Sequence, residues 1–336
     1  MREPAERDGL QGVATRRQFL AKTLAAGGAL AVGSPEWARS AERSKPPEMN
    51  LVRQPDKVQV RYGTRELCTY QLRQPFGSGI PVSSACYFHP LQTPGGIPVT
   101  EVGPDDHRHH RGVFFGWVEM IGSGKKSDFW GWGEKAPIKG RQIVNQGIET
   151  SAPGLGYIRF RALNEWQVDG ARWIAEDLRA GVALIEGATA LELTVQLSVA
   201  APVTLARSAF GGLAVRLRKD AKIQPIGPGG PVTLAPPKHT EPESNWPEAT
   251  WYGLHSTYSD GKQSTVVVIG RKTHPPTNWH VVPGIGLINP SITGPGAVEI
   301  TPERPLVLRY RVMAFDGAPR PAVIAKLADS WYNGRQ

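Results

Sequence analysis

Residues 191–199 read LELTVQLSV, in which apolar and polar side chains alternate without a break. Successive side chains of a β-strand point to opposite faces of a sheet. The stretch therefore predicts a strand with one buried face and one face in water. Residues 306–315 show a similar alternation and predict a second strand of the same kind.

Shorter β-prone runs lie on both sides of these two strands, at residues 57–62, 66–73, 157–168, 172–178 and 264–270. The chain holds 38 Gly and 30 Pro, which indicates many turns between short strands. It shows no alternation of strands and helices, no internal repeat and no glycine-rich phosphate loop. The pattern predicts an all-β fold, a large β-sandwich.

Two other segments complete the expected architecture. Residues 218–249 are rich in proline and predict a long loop. One C-terminal helix is expected, with Pro321 in its first turn and Gly334 after its end. Its apolar stripe consists of Val323, Ile324, Leu327 and Trp331.

The N-terminus has the features of an export signal. Residues 15–20, TRRQFL, form a twin-arginine pattern followed by an Ala/Gly-rich apolar run to residue 32. That run is too short to span a bilayer and contains Lys22. We expect a twin-arginine signal at 1–41, a linker at 42–56 and a single domain at 57–336. The mature protein would then be periplasmic or secreted, without a stable membrane span.

Charge and cysteine content narrow the possible partners. The formal charge is +9, but the basic residues are dispersed, so nucleic-acid binding is not expected. A basic surface could suit acidic substrates such as uronic-acid polymers, although a charge that only aids solubility is the simpler interpretation.

Cys68 and Cys86 could form a disulfide after export. They lack the spacing of a zinc or iron–sulfur site.

The chemistry is expected in residues 105–134, DDHRHHRGVFFGWVEMIGSGKKSDFWGWGE. His107, His109 and His110 are candidate acid/base groups or metal ligands. On a strand, His107 and His109 would share a face and His110 would point away. In a loop all three rings could converge, and a divalent metal would then be possible. The simpler alternative is that they bond backbone groups in a turn.

Other residues of this stretch have expected roles in the same site. Glu119 and Asp128 are candidate catalytic carboxylates. Arg108 and Arg111 are candidates for binding hydroxyl or carboxylate groups. A tryptophan in a β-sandwich is more often part of the core, but at least one of Trp117, Trp130 and Trp132 is a candidate platform for a sugar ring. Trp130 is the preferred one.

A second polar and aromatic cluster lies at residues 251–290 and contains His255, His274, Trp279 and His280. We expect these four residues to contribute to ligand binding, with at least one of the histidines joining the first cluster in space. Separate surface histidines are the alternative.

The ordered motifs HHRGVFFGW, DFW, FGGLAVRL, WYG, HPPTNWH, GLINP and LRYRVMAFDG resemble those of the exported PmoA-like family of unknown function, whose label refers to a methane oxygenase. The resemblance covers about residues 55–332. It implies an all-β fold and an association with secreted sugar-degrading proteins. YFHP at 87–90 and the HHRG element also resemble galactose-mutarotase-like supersandwiches, which bind sugars in a cleft.

These observations predict an exported carbohydrate-active protein, an epimerase, lyase or hydrolase with a cleft of histidine, arginine and tryptophan. Its substrate would be a sugar or polysaccharide. One alternative is a non-catalytic glycan-binding protein, and another is a metal-dependent oxidoreductase, as the family label implies. The sequence identifies no cofactor. No nucleophile elbow of the G-x-S-x-G type is present.

Overall fold

The computed structural model describes residues 48–81, 84–151 and 156–334, so the twin-arginine segment lies outside the described residues. The regular secondary structure of the described residues consists of strands and, apart from two short 3-10 turns, a single helix. The strands are β1 (Met49–Arg53), β2 (Lys57–Tyr62), β3 (Arg65–Gln71), β4 (Tyr87–Leu91), β5 (Val113–Trp117), β6 (Met120–Gly122), β7 (Lys125–Ser127), β8 (Arg141–Thr150), β9 (Tyr157–Val168), β10 (Ala171–Ile185), β11 (Ala188–Ser198), β12 (Val203–Leu205), β13 (Gly211–Arg216), β14 (Ala221–Gly227), β15 (Gly230–Pro231), β16 (Trp251–Tyr258), β17 (Gln263–Ile269), β18 (Asn278–Val282), β19 (Leu287–Ser291), β20 (Val298–Ile300) and β21 (Leu306–Asp316), with helix α1 at Pro321–Tyr332.

Two large antiparallel sheets pack face to face, which confirms the predicted β-sandwich. The eight-stranded sheet has the order β1-β2-β3-β4-β5-β13-β19-β18, and the nine-stranded sheet has the order β15-β14-β16-β17-β21-β11-β10-β9-β8. A small sheet, β20-β12-β6-β7, lies beside them. One apolar core takes side chains from both large sheets.

The alternating stretch at 191–199 forms most of β11, in the middle of the nine-stranded sheet. Leu191, Leu193, Val195 and Leu197 are fully buried, whereas the polar residues between them are half-buried. Two-residue turns with positive φ at both positions, Asp169-Gly170 and Glu186-Gly187, join β9, β10 and β11. This turn geometry matches the twist of the flanking strands and fixes their register.

Helix α1 has the predicted start and end, and Ile324, Leu327 and Trp331 are buried, as expected. The helix packs on the outer face of the nine-stranded sheet, against Trp251 and Phe315 among others. No helix among residues 48–81, 84–151 and 156–334 has the length and apolar character needed to cross a membrane.

The structure departs from the sequence analysis in two segments. Strand β1 lies within residues 42–56, the expected linker, so the sheet begins before residue 57. Strand β14 lies within the expected loop 218–249 and pairs with β16. Pro225 is tolerated there because the neighbour on the other side, β15, is only two residues long and leaves β14 close to a sheet edge.

Candidate functional site

A pocket lies on the outer face of the eight-stranded sheet, where β5, β13, β19 and β18 are neighbours. In β5, Val113, Phe115 and Trp117 enter the main core, as the alternation predicts. Phe114 points to the opposite face and joins a separate apolar cluster under the pocket. The sheet thus forms a rigid floor, and loops form the walls.

The pocket has a volume of about 360 Å³, within the range of roughly 300–1,000 Å³ that is usual for small-molecule sites. Five of the chain's eight histidines line it, together with aromatic and aliphatic side chains. The lining residues are His107, His109, His110, Trp130, Trp132, Glu134, Phe210, Pro237, His239, His280, Val282, Ile285 and Leu287.

The three clustered histidines lie in a loop of two successive turns rather than in a strand. The amide of His107 donates to Pro104 O at 3.0 Å, and the amide of His110 donates to His107 O at 2.9 Å. The His110 ring is stacked 4.8 Å from the His107 ring and meets the His109 ring edge-on at 4.6 Å, centroid to centroid. Because the backbone turns twice, all three imidazoles converge on the pocket.

A buried arginine fixes the protonation pattern of His110. Arg216, which is 0% exposed, donates to His110 Nδ1 at 3.3 Å and binds both carboxylate oxygens of Asp106 at 2.9 and 3.0 Å. A guanidinium only donates, so His110 Nδ1 must accept and the ring proton is on Nε2. Burial, followed by the charges of His109 and Arg216, lowers the pKa of His110 well below its usual range. His110 is therefore a neutral hydrogen-bond donor.

An amide fixes His280 in the opposite tautomer. His280 Nδ1 lies 2.8 Å from Asn245 Oδ1. The amide nitrogen of Asn245 donates to Ala209 O at 2.6 Å and to Asn278 Oδ1 at 2.8 Å, which assigns the Asn245 oxygen as an acceptor. His280 Nδ1 therefore carries the proton and Nε2 has the lone pair. No hydrogen bond among the described residues engages Nε2.

Aromatic rings form one wall of the pocket. Phe210 lies 5.0 Å from Trp130, 5.7 Å from Trp132 and 5.3 Å from His280, measured between ring centroids. Trp130 is 1% exposed, whereas Trp132 is half-buried and meets the exposed His239 edge-on at 5.5 Å. The accessible indole is therefore that of Trp132, and Trp130 packs behind it.

Asp128 shapes the wall rather than lining the pocket. Its fully buried carboxylate accepts hydrogen bonds from the amides of Gly131 at 2.7 Å and Gly133 at 2.6 Å. Burial raises the pKa of Asp128, although these hydrogen bonds oppose the rise. The carboxylate closes the turn that presents Trp130 and Trp132.

Arg111 ties the histidine loop to the tryptophan loop. Its guanidinium is buried and donates to the carbonyls of His109, Phe115, Phe129 and Trp130 at 3.1–3.3 Å. Burial, and then the charge of Arg141, lowers its pKa to about 9, so it stays charged at neutral pH. Its place is beneath the pocket lining, not on it.

We expect Arg111→Met to lower the free energy of unfolding by about 3 kcal/mol, because several buried carbonyls lose a charged donor. Arg141→Met is the matched comparison, since Arg141 is also buried but donates only to Ser84 Oγ in the described residues. The decrease in the free energy of unfolding should be clearly smaller for Arg141→Met than for Arg111→Met. Urea unfolding followed by tryptophan fluorescence measures both, and equal losses would contradict the bridging role of Arg111.

Of the four candidate binding residues in the second cluster, His280 lines the pocket and the other three do not. His255 lies in the nine-stranded sheet and bonds Thr265 Oγ1 at 2.9 Å. His274 Nε2 accepts the amide of Arg309 at 2.8 Å, and burial lowers the pKa of His274 to about 4. Trp279 is 1% exposed and enters the main core.

Two further candidates lie away from the pocket lining. Glu119 pairs with Lys126 at 2.5 Å, and its backbone oxygen accepts the amide of Ala206 beside the small sheet. Arg108 is exposed and pairs with Asp105 at 2.9 Å.

In the described part of the chain, no three His, Cys, Asp or Glu side chains are placed so that they could hold a metal ion together. At two of the pocket histidines, Nδ1 is already bonded to Arg216 or to Asn245. Cys68 and Cys86 are both free thiols, and Cys86 Sγ donates to Asn164 Oδ1 at 3.2 Å.

Three residues that shape the site were not identified from the sequence: Phe210, Asn245 and Arg216. Trp132 was one of three candidate tryptophans, although Trp130 was preferred as the platform. Arg216 sits at the end of an apolar strand run, where a lone arginine is unusual. Asn245 carries no local signal, since its role depends on a contact with His280, 35 residues away.

Comparison with known proteins gives a family and several distant structures. A model of a family described only as a family of unknown function matches residues 57–329. No curated protein sequence matches the chain.

The structural likenesses are all distant. A galactose mutarotase related enzyme from Lactobacillus acidophilus has 8% identity and a TM-score of 0.35, with 81% of this chain and 99% of that chain covered. A galactose mutarotase-like protein from Lactobacillus casei has 8% identity and a TM-score of 0.36, with 79% and 99% covered. The alpha-galactosidase from Lactobacillus brevis has 8% identity and a TM-score of 0.39, with 80% of this chain and 40% of its own covered.

Proposed function

This chain belongs to the DUF6807 family of unknown function, so its activity must be inferred from its own pocket, and we propose that the pocket binds a sugar and catalyses a proton transfer on it. In this proposal His280 Nε2 accepts the proton and His110 Nε2–H donates a hydrogen bond to the oxygen where charge develops. As part of the proposal, the protein is exported by the twin-arginine signal.

The observation that carries the proposal is the pair of opposite tautomers in one pocket. Arg216 makes His110 a donor, and Asn245 makes His280 an acceptor. Burial, and then the charge of His239, lowers the pKa of His280 to about 4, so its lone pair is available at neutral pH. A base of that strength is comparable to a carboxylate, which is adequate when a neighbouring donor stabilises the product.

The shape and lining of the pocket favour a ring-shaped, hydroxyl-bearing ligand. Trp132 and Phe210 offer flat apolar surfaces, and the imidazoles provide polar groups beside them. A few polar groups set in an apolar, aromatic wall are typical of small-molecule sites. A sugar has an apolar C–H face and a hydroxyl rim, and so matches both parts.

Among the three enzyme classes, epimerase-type and lyase-type proton transfer fit better than hydrolysis. Glycoside hydrolysis mostly uses two carboxylates that flank the bond. Among the described residues that line the pocket, Glu134 is the one carboxylate, and it is exposed at the rim. The histidine pair, by contrast, is suited to opening a sugar ring or removing a proton next to a carbonyl.

The test combines binding with proton exchange. A panel of monosaccharides, disaccharides and uronic acids is screened by calorimetry, and each is incubated with the protein in D₂O and followed by NMR. We expect at least one sugar to bind and to show faster anomer exchange or deuterium incorporation at carbon. Binding without any exchange or product would overturn catalysis and favour the glycan-binding alternative, and no binding at all would overturn the whole proposal.

A further inference from the structure

A second cavity shares no lining residue with the histidine pocket. It has a volume of about 420 Å³, and its lining comes mainly from the end of β1, the segment that follows β3 and the edge strand β8. We call it the edge groove. Its lining residues are Arg53, Gln54, Pro55, Leu72, Arg73, Gln74, Ala85, Ile143, Val144, Asn145, Gln146 and Gly147.

The charge of the edge groove is one-sided. Arg53 and Arg73 line it, and no Asp or Glu is among the described lining residues. Neither arginine has an ion pair with a described residue, whereas most other exposed arginines, such as Arg108 and Arg172, do. Arg53 donates one long hydrogen bond, from Nη1 to Ile148 O at 3.5 Å, and its other donors have no partner among the described residues. The groove therefore presents two guanidinium groups with donors that an anion can engage.

Four amide side chains add hydrogen-bonding groups, and each has at least one hydrogen bond within the protein. Gln74 donates to Ile80 O at 3.1 Å and accepts the amide of Ser84 at 2.8 Å. Asn145 donates to Leu163 O at 3.2 Å and to Asn164 Oδ1 at 2.8 Å. These amides need no reorganisation when a ligand arrives, and they suit a ligand that is rich in hydroxyl groups.

The backbone of β8 contributes as well. Strand β8 pairs only with β9, so its other edge is open to the groove. The register shifts between Asn145 and Gly147, which marks a bulge at Gln146. Bulges turn side chains out of the regular alternation and are frequent beside binding sites. The bulge and the open edge together leave polar groups available that a paired strand would use internally.

We propose that the edge groove is a second binding site, for an anionic glycan segment that carries carboxylate or sulfate groups. Arg53 and Arg73 would bind the anionic groups, and the amides would bind the hydroxyls. The site stands apart from the chemistry of His280 and does not depend on it.

The test uses the full-length protein and calorimetry with three probes: a uronic-acid disaccharide, a sulfated disaccharide and a neutral disaccharide. We expect one or both anionic probes to bind more tightly than the neutral one. The double variant Arg53→Gln with Arg73→Gln should weaken that binding by about tenfold or more. The control is the double variant Arg304→Gln with Arg320→Gln, two exposed arginines with the same change of charge, which should bind like wild type.

The remaining outcomes decide against the proposal. It is overturned if no anionic probe binds, if the Arg53/Arg73 double variant retains full affinity, or if a neutral disaccharide binds equally well and loses the same affinity in that double variant. Displacement of the disaccharide by equal concentrations of inorganic sulfate would reduce the groove to a simple anion site and also overturn the glycan assignment. His280→Ala, which tests the histidine pocket, should leave binding at the edge groove unchanged, so the two proposals can fail separately.

Discussion

Acidification from pH 6.5 to pH 4.5 should lower the free energy of unfolding by on the order of 10 kcal/mol. Five histidines are buried or half-buried and neutral, and desolvation is the main cause of each lowered pKa. The pKa is about 4 for His89, His274 and His280, about 3 for His109, and well below the usual range for His110.

The direction follows from proton uptake by the two states. An unfolded histidine takes up its proton near pH 6.5, whereas the folded form takes it up only near pH 4 or below. The stabilising contribution is thus complete above pH 6.5 and is lost as the pH falls toward the folded pKa. Each buried histidine contributes a slope of about 1.4 kcal/mol per pH unit in that window.

Glu176 acts in the opposite direction and provides an internal check. Its carboxyl is fully buried, and burial raises its pKa to about 6 despite hydrogen bonds from Trp166 and Asn164. Its contribution is present below pH 4.5 and lost as the pH rises through 6, a change of about 2 kcal/mol. It offsets only part of the histidine effect.

Urea unfolding at pH 7.5, 6.5, 5.5 and 4.5, followed by tryptophan fluorescence, measures the effect. His274→Gln should make the acid loss shallower by about 1.4 kcal/mol per pH unit, and Glu176→Gln should make it steeper. A free energy of unfolding that is flat or rises toward pH 4.5 would contradict the neutral, buried state of these histidines.

Replacement of His280 by alanine should reduce turnover of the sugar identified by the D₂O screen by about 10²–10⁴-fold. The variant removes the lone pair that accepts the proton, while the aromatic wall remains. We expect kcat to fall far more than KM rises, because the proton transfer takes place in the transition state.

His255→Ala is the matched control. His255 also lies in a strand, also bonds through Nδ1 to a neighbouring oxygen and also has a pKa lowered mainly by burial, but it lies outside the pocket. It should retain wild-type turnover. The turnover of Asn245→Leu should lie between those of His280→Ala and His255→Ala. This variant keeps the His280 ring but removes the acceptor that holds its proton on Nδ1. Full activity of a folded His280→Ala protein would exclude His280 as the base.

Local patterns predicted much of the fold, because a strand with one wet face shows its alternation directly. The predicted strand at 157–168 coincides with β9, and the stretch at 191–199 forms most of β11, with its apolar side chains buried. Strand β1 is five residues long and lies in a segment rich in proline and charge, and it becomes evident as a strand only through its pairing with β2. Pairing between two distant or short strands cannot be predicted from the residues of one strand alone.

The candidate site was predicted only in part, for a related reason. The histidine cluster was evident, but its convergence depends on two turns whose hydrogen bonds are not visible in the sequence. Trp279 and His280 were both expected to bind ligand, yet neighbours in a strand face opposite sides, so one of them had to enter the core. Arg216 and Asn245 are distant in sequence from the rings they orient, and only the folded chain brings them together.

Arg216 restrains the ring of His110, and Asn245 restrains the ring of His280. These restraints affect the entropy of ligand binding. Both rings have lost their rotational freedom already in the folded protein, so ordering them does not oppose the arrival of a ligand. The binding energy of the ligand is then not needed to order these two rings, and it can orient the ligand relative to them. Ligand binding therefore depends on local stability. A substitution that weakens the contact of Arg216 with His110, or of Asn245 with His280, should let that ring rotate while the rest of the sandwich stays folded.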